Sequence, residues 1–494
     1  MKKISPHCVM RVGSICNLYQ KAGDGIGHRA ARFRAAALAL LALPGAAAAA
    51  HAQARTQDGT TWLDTIVVIG TRTETSVLDN PASVTVVDRE ELERKPPQDI
   101  AEMLRDVPGV EVVDSSAPGM KRLSIRGESS RRITILVDGQ EITDHSDYGT
   151  PILVDPSNVE RIEVVRGPAS VLYGAKAIGG VVNIITRRGA AKPIQTEIGG
   201  AWYSGSDGWQ GWGAVSGTVD DFDYRFSGSL DDHGDRRVPE GRYTSSGRLD
   251  GTSFSNDNIS AHLGYTFGAA GNHYIALKAQ QHRLSSESWT DPATLVPPVV
   301  DFTIDLPKRD LRKVGLYYDG TEISDVVRRV HVDAYHQEVD RLFTNEVAIR
   351  PVPTLPLIQP TRTVSQDLNT NWGGTAQADL QFHPDHYTIV GLQYLDDDLD
   401  ASKATAPVPA PPVVAAPVTD DASIRTASAF AQDEWSFAED FKLTAGGRYY
   451  NTRTDLAHTS DPDRQGYSGR SDGRFVTSLG LTYSGIEDAT LRAL

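Results

Sequence analysis

The chain has 494 residues and a net charge of −15, with 23% charged and 39% hydrophobic residues. Its length exceeds that of one ordinary domain, so two or more structural units are expected. The acidic balance argues against nucleic-acid binding, because that function depends on clustered basic residues.

The N-terminus has the features of an export signal. Several basic residues precede an apolar run at 35–50, which Pro44 and Gly45 interrupt. The run is shorter than the roughly 20 residues that a spanning helix needs. Small residues at 50, 52 and 54 are typical of a signal-peptidase site. The pattern predicts a signal peptide over 1–54, with an anchored helix as the alternative and Met10 as a second candidate start.

Both cysteines, Cys8 and Cys16, lie in this presequence. A mature chain beginning after residue 54 has no cysteine and a net charge of about −21. This composition suits a bacterial exported protein without disulfides, and it excludes thiol catalysis and cysteine-ligated metals.

Residues 55–190 mix short strands with one helical stretch. The segment DTIVVIG at 64–70 is rich in β-branched residues and predicts a strand. Further strand-like segments are SVTVV at 83–87, EVVD at 111–114, KRLSIRG at 121–127, RRITILVDG at 131–139 and NVERIEVVRG at 158–167. Ile100, Met103, Leu104 and Val107 share one helical face, which Pro108 and Gly109 end. We therefore expect a compact α+β unit over 75–190, preceded by an extension over 55–74.

From about residue 194, apolar and polar residues alternate with period 2. The alternating apolar sets are Tyr224, Phe226, Gly228 and Leu230; Ile259, Ala261, Leu263, Tyr265 and Phe267; and Trp372, Gly374, Ala376, Ala378, Leu380 and Phe382. Strands that face lipid on one side and a polar lumen on the other have this pattern. Residues 191–494 are therefore predicted to form part of an antiparallel transmembrane β-barrel.

The links between these strands alternate in length, which favours a membrane barrel over a soluble sandwich. Short links lie near 220–222, 268–272, 319–325, 383–385, 438–440 and 484–488, and long ones near 232–257, 284–310, 339–370, 397–423 and 454–472. The acidic, proline-rich stretch at 396–421 is expected to be an exposed or partly disordered loop, with inter-strand filler as the alternative. Aromatic residues flank the short links and predict an interfacial girdle, with scattered core aromatics as the alternative; they are Tyr224, Phe267, Tyr274, Tyr318, Phe382, Tyr387, Trp435, Phe437 and Phe441.

Several motifs resemble one family, in that family's order. The stretch NVERIEVVRGPASVLYGAKAIGGVVNIITRRG at 158–189 resembles the plug signature of TonB-dependent outer-membrane receptors, of the siderophore-receptor type. SIRGESSRRITILVDGQEI at 124–142 resembles the preceding strand and turn. FAQDEWSF and FKLTAGGRYYNTR, at 430–437 and 441–453, resemble a barrel hairpin of the same family. The resemblance implies an α+β plug domain inside a barrel of about 22 strands.

The resemblance also implies a function and partners. DTIVVIG resembles the TonB box, which comprises Asp64, Thr65, Ile66, Val67, Val68, Ile69 and Gly70. The family takes up scarce ligands, commonly ferric siderophores and sometimes haem or cobalamin, with energy delivered from the inner membrane by TonB. A non-transporting barrel, such as a porin, adhesin or outer-membrane hydrolase, is the alternative class. No resident cofactor is implied, because iron would enter only within a transported ligand.

Candidate site residues follow from position and charge. The plug apices are expected at 115–122 and 143–151, where Lys121 and Arg122 could meet an anionic chelate and His145 or Tyr148 a metal centre. Arg126, Glu163 and Arg166 are expected to pair within the plug or against the barrel. Gly167, Gly174, Gly179 and Gly180 are expected at tight corners and close approaches. No nucleophile and base set and no phosphate-binding loop is present, so the sequence predicts neither an enzyme nor a nucleotide site.

The number of predicted strands is smaller than the family's. Twelve strands and the beginning of a thirteenth, at DATLRAL, follow residue 194, against about 22 in plugged transporters. The sequence therefore predicts a truncated product or incomplete gene model, whose open sheet edge would be prone to aggregation and degradation.

Overall fold

A computed structural model describes residues 66–67, 75–76, 80–94, 99–113, 121–145, 152–241, 243–350, 360–409, 416–467, 469–486 and 489–493. The predicted signal peptide lies outside these residues. All of them belong to one unit, Thr61–Leu494. No helix among them has the length and apolar character required to cross a membrane.

The first part of the unit is an α+β domain, here called the plug. Two short strands, β1 (Ile66–Val67) and β2 (Thr75–Ser76), precede it. The strands of the plug are β3 (Ser83–Val87), β4 (Val110–Val113), β5 (Arg122–Ile125), β6 (Ile133–Val137), β7 (Gln140–Glu141), β8 (Val159–Arg166) and β9 (Gly180–Thr186). In the described residues five of them form a sheet in the order β3-β8-β9-β6-β7, with β6 and β9 parallel, while β4 pairs with β5. The helices are α1 (Arg89–Arg94), α2 (Ile100–Met103) and α3 (Ser170–Tyr173).

Helix α2 shows why the predicted helical face forms. The Asp99 side chain caps it by accepting a hydrogen bond from the Glu102 backbone N–H at 2.9 Å. Ile100, Met103, Leu104 and Val107 are all buried in the plug core, which confirms the predicted face. The α-helix itself is shorter than predicted, because it tightens into a 3₁₀ turn at Leu104–Asp106.

Two adjacent glycines allow β9 to lie close between its neighbours. A Cβ on Gly180, whose φ is +153°, would lie 2.2 Å from the Val165 carbonyl oxygen. A Cβ on Gly179 would lie 2.6 Å from the Cβ of Glu128. These contacts explain the close approach predicted at both positions, since only glycine fits there.

The second part is an antiparallel sheet that the described residues build from 13 strands, here called the wall. Its strands are β10 (Gln195–Tyr203), β11 (Gly208–Val219), β12 (Phe222–His233), β15 (Phe254–Phe267), β16 (His273–Ser288), β17 (Val299–Thr321), β18 (Val327–Ile349), β19 (Thr361–His383), β20 (His386–Pro407), β21 (Val418–Ala438), β22 (Phe441–Thr459), β23 (Arg470–Ile486) and β24 (Ala489–Ala493). Each strand pairs with the next one in this order. A small hairpin, β13 (Arg236–Arg237) with β14 (Arg248–Leu249), lies in the link after β12.

The two faces of the wall differ as the alternation predicts. On β12, Phe222 and Phe226 are exposed, whereas Arg225 and Ser227 are buried. On β19, Trp372 is exposed and its neighbour Asn371 is buried. Apolar residues on the exposed face and polar residues on the inner face identify a sheet with lipid outside.

Several wall strands are far longer than a membrane crossing requires. Strands β17, β18 and β19 each have 23 residues, compared with roughly 9–11 for a tilted transmembrane strand. On β17 the exposed side chains change from Val314 and Leu316, near the short turn, to Arg312 farther away. The strands therefore extend beyond the apolar band at the end that carries the long links.

The prediction of an exposed loop over 396–421 is wrong for 396–407 and 418–421. Residues 396–407 belong to β20 and residues 418–421 to β21, and the two strands pair from His386 with Trp435 to Lys403 with Val418. Their charged side chains have partners, as in the 3.0 Å ion pair between Arg425 and Asp396. Other long links are likewise shorter than predicted, because strands β16 to β19 extend into them.

The predicted aromatic girdle is partly confirmed. Trp435, Phe437, Phe441 and Tyr483 form successive ring contacts beside the short turns. Tyr274 and Tyr387 were expected in this girdle, but their hydroxyls donate to Asp223 and Asp379 at 2.9 and 3.1 Å. Both carboxylates lie on the wall's inner face, so these two tyrosines do not belong to the outer belt.

Candidate functional site

The first three residues of the predicted apex at 143–151 are bound by the wall. The Thr143 carbonyl accepts a hydrogen bond from Asn369 Nδ2 at 3.5 Å, Asp144 pairs with Arg309, and His145 Nε2 lies 3.3 Å from Asp397 Oδ2. These contacts reach strands β19, β17 and β20. Three consecutive plug residues are thereby fixed to three wall strands.

A charge network surrounds this segment. Lys176 Nζ lies 2.9 Å from Glu141 Oε1. Burial alone would lower the pKa of Lys176, but Glu141, Asp397 and Asp144 outweigh it and raise that pKa. The network therefore favours the charged form of Lys176 and links the glycine-rich plug segment to the apex segment.

A second contact joins two motifs that are distant in sequence. Arg448, within FKLTAGGRYYNTR, is fully buried. Its Nη1 donates to the carbonyl oxygens of Val171 and Leu172 at 3.4 and 3.1 Å, and its Nη2 donates to Ser428 Oγ at 2.6 Å. The wall thus satisfies carbonyls of helix α3, which lies in the plug signature.

A third contact lies nearer the short turns. Lys278 Nζ lies 2.8 Å from Asp138 Oδ1 and 2.8 Å from Thr186 Oγ1. Burial would raise the pKa of Asp138, but Lys278 and Thr186 outweigh it and lower that pKa. This buried pair joins the plug turn after β6 to strand β16.

The predicted ligand residues occupy different environments. Lys121 is 6% exposed, pairs with Glu102 and lies 3.5 Å from Asp99. Burial raises the pKa of Asp99, although Lys121 opposes this. Arg122 begins β5, His145 contacts the wall, and Tyr148 lies outside the described residues. A ligand role for these four residues stays a prediction, and the burial of Lys121 indicates a structural role as well.

The charged residues of the plug strands pair within the plug. Glu163 is fully buried and accepts a hydrogen bond from Arg161 Nε at 2.7 Å. Arg166 donates to the Pro108 carbonyl at 2.6 Å and to Thr85 Oγ1 at 2.9 Å. The backbone N–H of Arg126 donates to the Gly109 carbonyl at 2.8 Å. The expectation of internal pairing is confirmed for Glu163 and Arg166.

Part of the predicted TonB box is described. Strand β1 (Ile66–Val67) pairs antiparallel with β2 (Thr75–Ser76). In the described residues this pair is separate from the five-stranded plug sheet. Asp64, Thr65, Val68, Ile69 and Gly70 lie outside those residues, so the assignment of the box stays a prediction.

Sequence reasoning missed the wall residues that hold the plug. Arg309, Asp397 and Arg448 are charged side chains at inward positions of strands, and two of the three lie in segments that were assigned to long links. The alternation of inward and outward residues along a strand could have identified them. Arg309, Leu311 and Lys313 are spaced two residues apart on β17, and all three are buried. Across the described residues, no group of three histidine, cysteine, aspartate or glutamate side chains is arranged to hold a metal ion.

Comparison with known proteins agrees with this architecture. Residues 76–181 match the TonB-dependent receptor plug domain, and residues 196–493 match the TonB dependent receptor-like β-barrel. An iron-regulated outer membrane virulence protein of Vibrio cholerae is 41% identical over 145 residues, which are 28% of this chain and 22% of that protein. The vitamin B12 transporter BtuB of Photobacterium profundum is 34% identical over 185 residues, 37% of this chain and 29% of that protein.

Solved structures share the fold. The copper transporter OprC superposes with a TM-score of 0.65 at 17% identity, covering 83% of this chain and 62% of that one. The ferric yersiniabactin receptor FyuA of Yersinia pestis gives a TM-score of 0.62 at 18% identity, covering 84% and 64%. The chain thus spans less than two thirds of these proteins. The family consists of transport receptors rather than enzymes, and this chain belongs to the TonB-dependent receptors of the Gram-negative outer membrane.

Proposed function

We propose that the protein imports a scarce ligand into the periplasm, with a ferric siderophore favoured, using energy that TonB delivers. The observation that carries this proposal is a folded plug fixed to the inner face of a lipid-exposed wall by Arg309, Arg448 and Lys278. In a closed barrel, a plug held in this way would obstruct the lumen. Moving the plug to let the ligand pass therefore requires work, which an energised partner would supply.

The named relatives support iron-related uptake without deciding the ligand. One is an iron-regulated virulence protein and another is the ferric enterobactin receptor PirA of Pseudomonas aeruginosa, 36% identical over 138 residues. The vitamin B12 transporter makes cobalamin a second candidate, and haem stays a third. The plug argues against a porin or adhesin, because neither function needs an obstructed lumen.

The experiment that tests import compares radiolabelled uptake in cells with and without TonB. We expect uptake of at least one ferric siderophore in the first strain and none in the second, with haem and cobalamin as parallel substrates. Uptake that is independent of TonB would contradict the proposal, and uptake of cobalamin alone would replace the favoured ligand.

The segment DTIVVIG is proposed to bind TonB by adding a strand to a sheet of that protein. Such pairing depends on main-chain hydrogen bonds, so a proline, which lacks the N–H donor, should abolish it. Val67→Pro should eliminate uptake while ligand binding and plug folding persist, and Val67→Ala should have a small effect. If Val67→Pro instead lowers the receptor level or the plug's thermal stability, the strand belongs to the plug and the assignment is wrong.

A further inference from the structure

A large cavity lies between the plug and the wall, on the side opposite the predicted apex. Its volume is about 770 Å³, within the range of small-molecule sites. The plug contributes the turn after β6, the start of β8, Tyr173, the end of β9 and the connection at 187–190, and the wall contributes β16 to β20 near the short turns together with Ser216 of β11. Short turns lie on the periplasmic side of outer-membrane barrels. The cavity, here called the chamber, therefore faces the periplasm.

The chamber has the opposite charge balance to the whole protein. Six of its lining residues are arginine or lysine and four are aspartate or glutamate, whereas the chain carries −15. The acidic residues already have cationic neighbours. Asp138 contacts Lys278, Glu160 lies 3.8 Å from Arg187, and Asp319 accepts a hydrogen bond from Arg329 Nε at 3.0 Å. His331 Nδ1 and Nε2 lie 3.0 and 3.4 Å from Asp319 and Asp333.

Two guanidinium groups that line the chamber do not pair with these acidic residues. Arg188 lies over the ring of Tyr274, 4.8 Å from its centroid, and Arg328 is exposed beside the turn between β17 and β18. Neither forms an ion pair with a carboxylate anywhere in the described part of the chain. Both line the chamber, so its surface offers two cations that can bind an anion directly, with planar groups suited to carboxylates.

The side of the chamber next to the plug is rigid. Lys278 holds both Asp138 and Thr186 at 2.8 Å, and Thr186 Oγ1 also donates to Asp138 Oδ2 at 2.6 Å. These groups satisfy one another, so they fix the position of β9 just before the connection that carries Arg188. The guanidinium of Arg188 is thereby presented from a fixed backbone.

We propose that the chamber is a second binding site, which takes a small anionic carboxylate chelate on its way from the plug to the periplasm. This inference rests on the proposed import function, and it identifies the ligand class as anionic at this site. Arg188 and Arg328 bind the carboxylates. The site is distinct from the predicted apex around His145, because it opens at the other end of the wall.

The test is isothermal titration calorimetry on the purified full chain with ferric citrate as the probe. Wild-type protein should bind, and Arg188→Gln with Arg328→Gln should weaken the affinity at least tenfold. Arg188→Lys should retain part of the affinity. Arg453→Gln, on an exposed side chain of β22 outside the chamber, is the matched control and should leave it unchanged.

Three results would overturn the proposal: no binding by the wild-type protein, equal affinity in the double variant and the control, or equal affinity for inorganic phosphate. Folding should not confuse the result, because both arginines are exposed, and unchanged thermal unfolding of the double variant verifies this. The titration needs no TonB. If the chamber is not a binding site, the titration in solution shows this. If the import proposal is wrong, uptake by cells does not depend on TonB.

Discussion

The plug and the wall are both β-rich, but their strands bury different fractions of their side chains. All five residues of β6 are buried, as are nearly all of β9, whereas the central part of β17 alternates between buried and exposed positions. Strands β6 and β9 are thus packed on both faces, whereas a wall strand is packed on one face and meets lipid or water on the other. Substitutions should therefore be costly throughout β6 and β9, and in the wall their cost should depend on the face.

The largest effect is expected where the plug sheet is most crowded. Gly180→Val should prevent β9 from pairing with β8, because its Cβ would lie 2.2 Å from the Val165 carbonyl oxygen. We expect a loss of more than about 4 kcal/mol and of the protease-resistant plug. Gly205→Ala in the wall, where no atom lies within 4 Å of the added Cβ, is the control. Equal proteolysis of the two variants would contradict the crowding of β9.

A somewhat smaller effect is expected where the wall holds the plug. Arg309→Ala would leave the buried carboxylate of Asp144 without this cation, which costs about 3 kcal/mol for an internal ion pair. Arg312→Ala, three residues away on the same strand, breaks an exposed pair with Glu338 and should cost less than about 1 kcal/mol. Thermal unfolding of both variants measures the difference, and similar midpoints would place Arg309 outside the plug contact.

On the outer face of the wall, the effect of a substitution on stability should depend on the charge of the new side chain more than on its volume. Leu277 is exposed on β16, in the apolar band. Leu277→Arg should destabilise the wall by about 2 kcal/mol, because a cation would face lipid. Leu277→Val should be nearly neutral. Comparable stability of both variants in reconstituted bilayers would mean that this face does not contact lipid.

The smallest expected effect is a pH dependence of the contact between Asp138 and Lys278. Because the pKa of Asp138 is lowered in the folded protein, its stabilisation is present above the ordinary aspartate value of about 4 and is lost as pH falls through the lowered value. Asp138→Asn should be less stable than the wild-type protein at pH 7, and thermal unfolding should show this difference shrinking as pH falls below about 4. A stability difference that stays constant below pH 4 would show that folding does not lower the pKa of Asp138.

Local sequence patterns predicted much of this fold, and their failures have physical causes. Alternation in Tyr224 to Leu230 identified the outward face, because lipid selects apolar residues there. The same criterion failed at 396–407, where both faces meet water or polar neighbours and the strand carries Asp396, Asp397 and Asp398. Glycine chemistry predicted the close approaches at Gly179 and Gly180.

The contacts of the candidate site were less predictable. Arg309 and Asp144 are 165 residues apart, and Arg448 and Leu172 are 276 residues apart. Nothing local indicates such pairs, since their positions depend on the register of the whole sheet. Lys121 was predicted from its charge, but its burial beside Glu102 follows only from tertiary packing.

The most direct test of a plug held against the inner face of the wall is a distance measurement in the membrane. Asp138→Cys with Lys278→Cys should be joined by a short bifunctional thiol-reactive crosslinker, since Asp138 Oδ1 and Lys278 Nζ lie 2.8 Å apart in the native protein. Cleavage at a protease site introduced in the link at 234–253 would then leave the two fragments covalently joined. The pair Asp138→Cys with Arg283→Cys, whose second residue lies on the outer face of the same strand, should separate into two fragments. Separation of the first pair, or equal crosslinking of both, would contradict the account.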